Sequence, residues 1–117
     1  MRFEFQLEAY CATQAQRDSL ETLARNYANS NKVDFTTDPT VNQHYGSMFT
    51  DPMVFVEAHG TTRLGLDKLF DTVTAALEQP ARGVDLARSY VWIKQVDDNG
   101  QLVDRRDWGR TTLPPVE

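Results

Sequence analysis

The stretch Ser89-Tyr90-Val91-Trp92-Ile93-Lys94-Gln95-Val96-Asp97-Asp98-Asn99-Gly100-Gln101-Leu102-Val103-Asp104-Arg105-Arg106-Asp107-Trp108 decides how the chain is read. Two β-rich runs flank Asp98-Asn99-Gly100, which is the signature of a β-hairpin. Its register can be weighed from the pairs it creates. A two-residue loop over Asn99-Gly100 sets Lys94 against Arg105 and Ile93 against Arg106. A three-residue loop with Gly100 in the left-handed conformation pairs Val96 with Leu102, Lys94 with Asp104, Trp92 with Arg106 and Tyr90 with Trp108. Each favourable cross-strand pair contributes roughly 0.2 to 1 kcal/mol, so the second register is expected.

Upstream, the periodicities are distinct. Phe3, Phe5, Leu7 and Ala9 alternate with Glu4, Gln6, Glu8 and Tyr10, as in a strand with one wet face. Thr13 followed by Gln16 fits a capping box, and Leu20, Leu23, Ala24, Tyr27 and Ala28 recur at helical spacing, which predicts a helix over 14–28. Val33, Phe35 and Thr37 form a short second strand, and Met53 to His59 a third. Leu66, Leu69, Phe70, Val73, Ala76 and Leu77 make the clearest apolar stripe of the chain, ended by Pro80 and Gly83. Residues 40–51 are irregular, with Val41, Tyr45, Met48 and Phe49 able to face a core over a turn or two of helix.

The order β-α-β, insert, β-α-β-β predicts an α+β fold of ferredoxin-like plan, β-α-β-β-α-β, with an antiparallel sheet, both helices on one face and an extra C-terminal hairpin strand. A curled sheet wrapped around a helix is the competing plan, but it needs a longer first helix and more strands after the second. With 117 residues, 40% hydrophobic and 25% charged, the chain has the size and composition of one domain, 1–117, in which 109–117 with Pro114-Pro115 reads as a frayed tail.

No apolar run approaches the roughly 18 residues of a membrane span, and the opening Met1-Arg2-Phe3-Glu4 carries no signal-like apolar segment. The single Cys11 excludes an internal disulfide, so the expected compartment is the cytoplasm. The net charge is −5, and residues 1–80 hold all of it, with 6 Lys/Arg against 11 Asp/Glu. Nucleic-acid binding needs a basic footprint and is disfavoured; the acidity suits solubility or a basic protein partner.

No stretch matches a diagnostic catalytic motif. His44 and His59 have no second histidine at a ligand spacing, so no metal is expected, and no cofactor. Gly60-Thr-Thr-Arg-Leu-Gly65 lacks the Lys-Ser/Thr ending of a phosphate loop and reads as a strand-to-helix turn. Cys11 could act as a nucleophile only with a base beside it, and its place at a strand end just before a helix suits burial. Asp67 and Asp71 lie opposite the apolar stripe of their helix, as a solvated face near its N-terminus.

What remains is the sheet face turned away from the helices. Parity assigns Tyr10, Phe55, Tyr90 and Trp92 to it, with Arg106 and Trp108 across the hairpin. An aromatic patch rimmed by charge has the composition of an interface; the competing expectation is that the 40–51 insert or a curled sheet covers some of these residues. The reading is therefore a small acidic protein-binding module, an inhibitor or regulator, that pairs through this face with another protein or with itself as a homodimer. The alternative is a dimeric α+β-barrel enzyme whose paired faces enclose a small organic molecule, with Glu57 and His59 as acid or base.

Overall fold

A computed structural model of the chain describes residues 2–31, 33–37, 52–60 and 63–110, and the side chains of Thr36 and Thr37 are not among the described ones. The irregular 40–51 segment lies outside the described residues. The elements run β1 (Arg2–Tyr10), α1 (Gln14–Ser30), β2 (Asp34–Thr37), β3 (Met53–Gly60), α2 (Arg63–Leu77), a short 3-10 turn over Pro80–Arg82, β4 (Tyr90–Val96) and β5 (Leu102–Gly109).

Local chemistry sets the helix ends. The Thr13 hydroxyl accepts from the Gln16 backbone N–H at 3.1 Å, while Gln16 Oε1 accepts from the Thr13 N–H at 3.1 Å. This reciprocal cap satisfies two amide groups that the first turn of α1 would leave bare. Gln16 also donates to the Ala81 carbonyl at 3.0 Å, tying that cap to the 3-10 turn. The helix continues to Ser30, two residues beyond the expected end, where the Ser30 hydroxyl donates back to the Asn26 carbonyl.

All strand pairs are antiparallel, in the order β2-β3-β1-β4-β5. Each helix joins two strands that have a third between them: α1 links β1 to β2 across β3, and α2 links β3 to β4 across β1. Phe5, Leu7 and Ala9 on β1, Val54, Val56 and Ala58 on β3, and Val91 and Ile93 on β4 are all buried in one cluster with Leu20, Ala24 and Ala28 of α1 and the apolar stripe of α2. Both helices therefore cover one face of the sheet, and the strict alternation along β1 is what leaves the other face without them.

The hairpin is half as expected. Gly100 takes φ +77°, its N–H donates to the Asp97 carbonyl at 3.0 Å, and the Asp97 N–H donates to Gln101 at 3.0 Å, closing a three-residue loop. Val96 faces Leu102 as expected. A second irregularity between Gln95 and Val96 then shifts the ladder, so Gln95 faces Asp104 and Val103 is left out of the pairing, 42% exposed. Beyond it Lys94 faces Arg105, Ile93 faces Arg106, Trp92 faces Asp107 and Val91 faces Trp108. The expected pairs of Lys94 with Asp104, Trp92 with Arg106 and Tyr90 with Trp108 do not form. The bulge at Val103 turns every later side chain of β5 to the opposite face.

The physical reason lies on α2. Arg106 Nη1 reaches Asp67 Oδ1 at 3.0 Å, Nη2 bonds Asp71, and the guanidinium stacks 4.1 Å from the Phe70 ring centroid. Asp104 takes Arg63 at 2.6 Å, an ion pair that holds its carboxyl below the usual range, and Trp108 packs against the core while donating to Glu78 at 3.1 Å. Asp67 and Asp71 are thus bonded to β5, not merely solvated. The like-charged Lys94 and Arg105 are each offset by a carboxylate, Glu4 at 3.1 Å and Asp107 at 3.5 Å. Nor does the tail begin at 109: Gly109 pairs with Tyr90, and the Arg110 N–H donates to the Ser89 carbonyl at 3.2 Å.

Candidate functional site: the outer face of the sheet

Because the strands are in register, the face opposite α1 and α2 is a grid. One row runs Asp34, His59, Glu4, Lys94, Arg105 from β2 to β5; the next holds Glu57, Gln6, Trp92 and Asp107; a third holds Phe55, Glu8 and Tyr90, with Tyr10 beyond it on β1. Four of the six expected binding residues, Tyr10, Phe55, Tyr90 and Trp92, share this face. Arg106 and Trp108 do not, since the Val103 bulge sends them beneath the sheet to α2. Arg105 and Asp107 take their places.

Trp92 is the centre. Its indole is only 8% exposed although it sits on the side away from the helices. The Lys94 ammonium lies 5.2 Å from the ring centroid, and the same ammonium bonds Glu4. Gln6, opposite Trp92 on β1, donates to the Tyr90 hydroxyl at 2.6 Å. Arg88 lies 4.5 Å over the Tyr10 ring, a contact worth roughly 0.5 to 1 kcal/mol when exposed. Long polar side chains thus hold the aromatic ones in fixed orientations, which lowers the ordering cost of any contact they make.

Glu57 and His59, the acid and base of the alternative reading, border one hollow of about 200 Å³ together with Glu4, Gln6, Trp92 and Lys94. His59 Nδ1 stands 4.0 Å from Glu4 Oε1, and Arg2 approaches the same oxygen at 3.2 Å. At that spacing His59 and Glu4 are too far apart for a hydrogen bond, and the hollow is lined by charged side chains from β1, β3 and β4. Among the described residues no group of His, Cys, Asp and Glu side chains has the spacing to hold a metal. Cys11 is buried at the end of β1, and burial pushes its thiol up, so its sulfur is a packing group.

Glu8 carries a cost that the sequence did not advertise. It lies between Phe55 on one neighbouring strand and Tyr90 on the other, and desolvation raises its carboxyl above the ordinary value of 4.5. A raised folded-state value means that protonation favours the fold: the benefit is fully present below the unfolded value and lost as pH rises through the folded one. Glu8→Gln should therefore raise the melting temperature at pH 7 and change it little at pH 4. Equal gains at both pH values would show that the carboxylate charge is not the cause.

No helix among the described residues is long and apolar enough to cross a membrane. No family model, curated protein or solved structure matches this chain, and the geometry of the outer face stands as the guide to what it does.

Proposed function

We propose that this chain is a small acidic protein-binding module of ferredoxin-like plan, an inhibitor or regulator of the cytoplasm, that binds through the outer face of its sheet. The split arrangement of each helix crossover and the strand order support the plan. The observation that carries the binding reading is the placement of Tyr10, Phe55, Tyr90 and Trp92 together on the face opposite both helices, braced by Gln6, Lys94 and Arg88. Aromatic residues held rigid at the centre of a charged rim are what interface hot spots are made of.

The test is the double variant Phe55→Ala/Tyr90→Ala, compared with the native chain in sedimentation and in capture of proteins from a cell extract. Association should weaken about tenfold or more while the fold, followed by circular dichroism, is kept. Retention of every association by the variant sinks the reading. The hollow bordered by Glu57 and His59 favours the second reading, a dimeric α+β barrel acting on a small organic molecule. It requires that His59→Ala abolish ligand-induced thermal stabilisation found in a small-molecule screen.

A further inference from the structure

The charges of the outer face are not scattered. On β2 and β3 lie Asp34 and Glu57 with His59, on the middle strand β1 lie Arg2, Glu4 and Glu8, and β4 and β5 present Lys94 and Arg105. Asp107 is the acidic exception on that side and is bonded to Arg105. The first row states the polarity most simply, because it begins with Asp34 at one edge and ends with Arg105 at the other, with Glu4 in the middle strand. A surface that is acidic on one half and basic on the other is complementary to itself after a half-turn about an axis parallel to the strands. The third row behaves alike: the same half-turn about β1 brings Phe55 of one copy towards Tyr90 of the other.

Building on the binding reading above, we infer that the occupant of the outer face is a second copy of this chain, docked face to face about a twofold axis along β1. The acidic β2–β3 half then covers the basic β4–β5 half, with Asp34 opposite Arg105. In other face-to-face orientations the acidic halves meet, and a chain of net charge −5 resists that. The four-residue β2 and the other four strands of seven to nine residues, about 4.8 Å apart with about 3.3 Å per residue, give a face of roughly 570 Å², somewhat below the roughly 800 Å² per partner in a standard interface. A closed twofold uses the whole face once on each copy and leaves no propagating contact. Glu4 and Glu8, both on the axis strand, would approach their own symmetry mates; Glu4 is already bonded to Lys94 and Arg2, and burial favours the protonated form of Glu8.

Charge exchange tests the orientation. In sedimentation at roughly 50 µM the native chain should run as a dimer. Asp34→Arg and Arg105→Asp should each weaken dimerisation about tenfold or more, because each sets like charges opposite one another twice. The double variant Asp34→Arg/Arg105→Asp, and an equimolar mixture of the two single variants, should return to within about threefold of the native affinity. Thermal unfolding monitors the folding of each, and Asp34→Asn with Arg105→Gln replaces any reversal that does not fold, the expected loss then being about threefold. A native chain that is monomeric at 100 µM overturns the second copy; if the Phe55→Ala/Tyr90→Ala variant then still loses a captured protein, the binding reading itself survives. A dimer indifferent to both charges, or one that the double exchange does not restore, likewise overturns the inference.

Discussion

Gly109→Ala should destabilise the protein by about 3 kcal/mol, enough at that size to change the folded-to-unfolded ratio more than a hundredfold. Two effects add. Gly109 has φ +73°, in the left-handed region where a side chain costs roughly 1 kcal/mol. An added Cβ would also run into the Ser89 carbonyl oxygen, which is backbone and cannot swing aside. That carbonyl accepts from the Arg110 N–H, and the buried Ser89 hydroxyl donates to the Asp85 carbonyl at 2.7 Å and accepts from the Tyr10 N–H at 3.2 Å. Relieving the clash means moving the end of β5 away from β4 or disturbing the turn that carries Ser89. Gly100→Ala is the matched control, because its φ of +77° carries the same penalty while nothing lies within 4 Å of the added carbon. It should cost about 1 kcal/mol. Denaturant unfolding of both variants separates the two contributions; similar losses would show that β5 does not pass close to Ser89.

The comparison between these glycines marks where the sequence was readable. Asn99-Gly100 announces its turn through local chemistry, and the loop closes as its residues require. Gly109 reads in the sequence as the start of a loose tail, because its partner is a carbonyl twenty residues earlier and no local pattern points to it. The same division holds elsewhere. The period-two alternation of β1 and the apolar stripe of α2 specify which faces are buried, and the capping box at Thr13 specifies where α1 begins. From these come the antiparallel sheet, the shared helix face, and the outward placement of Tyr10, Phe55, Tyr90 and Trp92.

The register of β5 was not readable in that way. Asp104-Arg105-Arg106-Asp107 has the same charge sequence in both directions, so a one-residue shift exchanges one arginine for another and leaves the local pattern plausible. The deciding partner is not in the hairpin. Asp67 and Asp71, spaced four apart on α2, looked like a solvated acidic face, but they form a receptor for a guanidinium arriving from the adjacent strand. Four cross-strand pairs contribute only a few tenths of a kcal/mol each, whereas the competing register has two carboxylates, an aromatic ring and the burial of Trp108 on its side. Val103 could drop out of the ladder at an edge strand for less than those contacts return.

That rearrangement reverses what Arg106 is expected to do. Arg106→Ala should lower stability by about 2 kcal/mol and leave association through the outer face unchanged. The loss combines the packing of the guanidinium on Phe70 with charge-assisted bonds to Asp67 and Asp71. The ionic part is small, because the Arg106 side chain is 36% exposed and that of Asp71 63%, and pairs so open to water contribute at most about 1 kcal/mol. Arg106→Met should accordingly recover part of the loss by keeping the stem over the ring. A cycle with Asp71→Ala should show a coupling of about 0.5 kcal/mol, and the cost of Arg106→Ala should fall only slightly in high salt. Asp67 retains Arg63 at 3.2 Å when Arg106 is removed, and Asp71 is open to water, so no buried carboxylate is left unpaired. Equilibrium unfolding and sedimentation on the same samples read the two effects apart. A variant that keeps native stability but no longer associates would place Arg106 back on the outer face and remove the bulge at Val103.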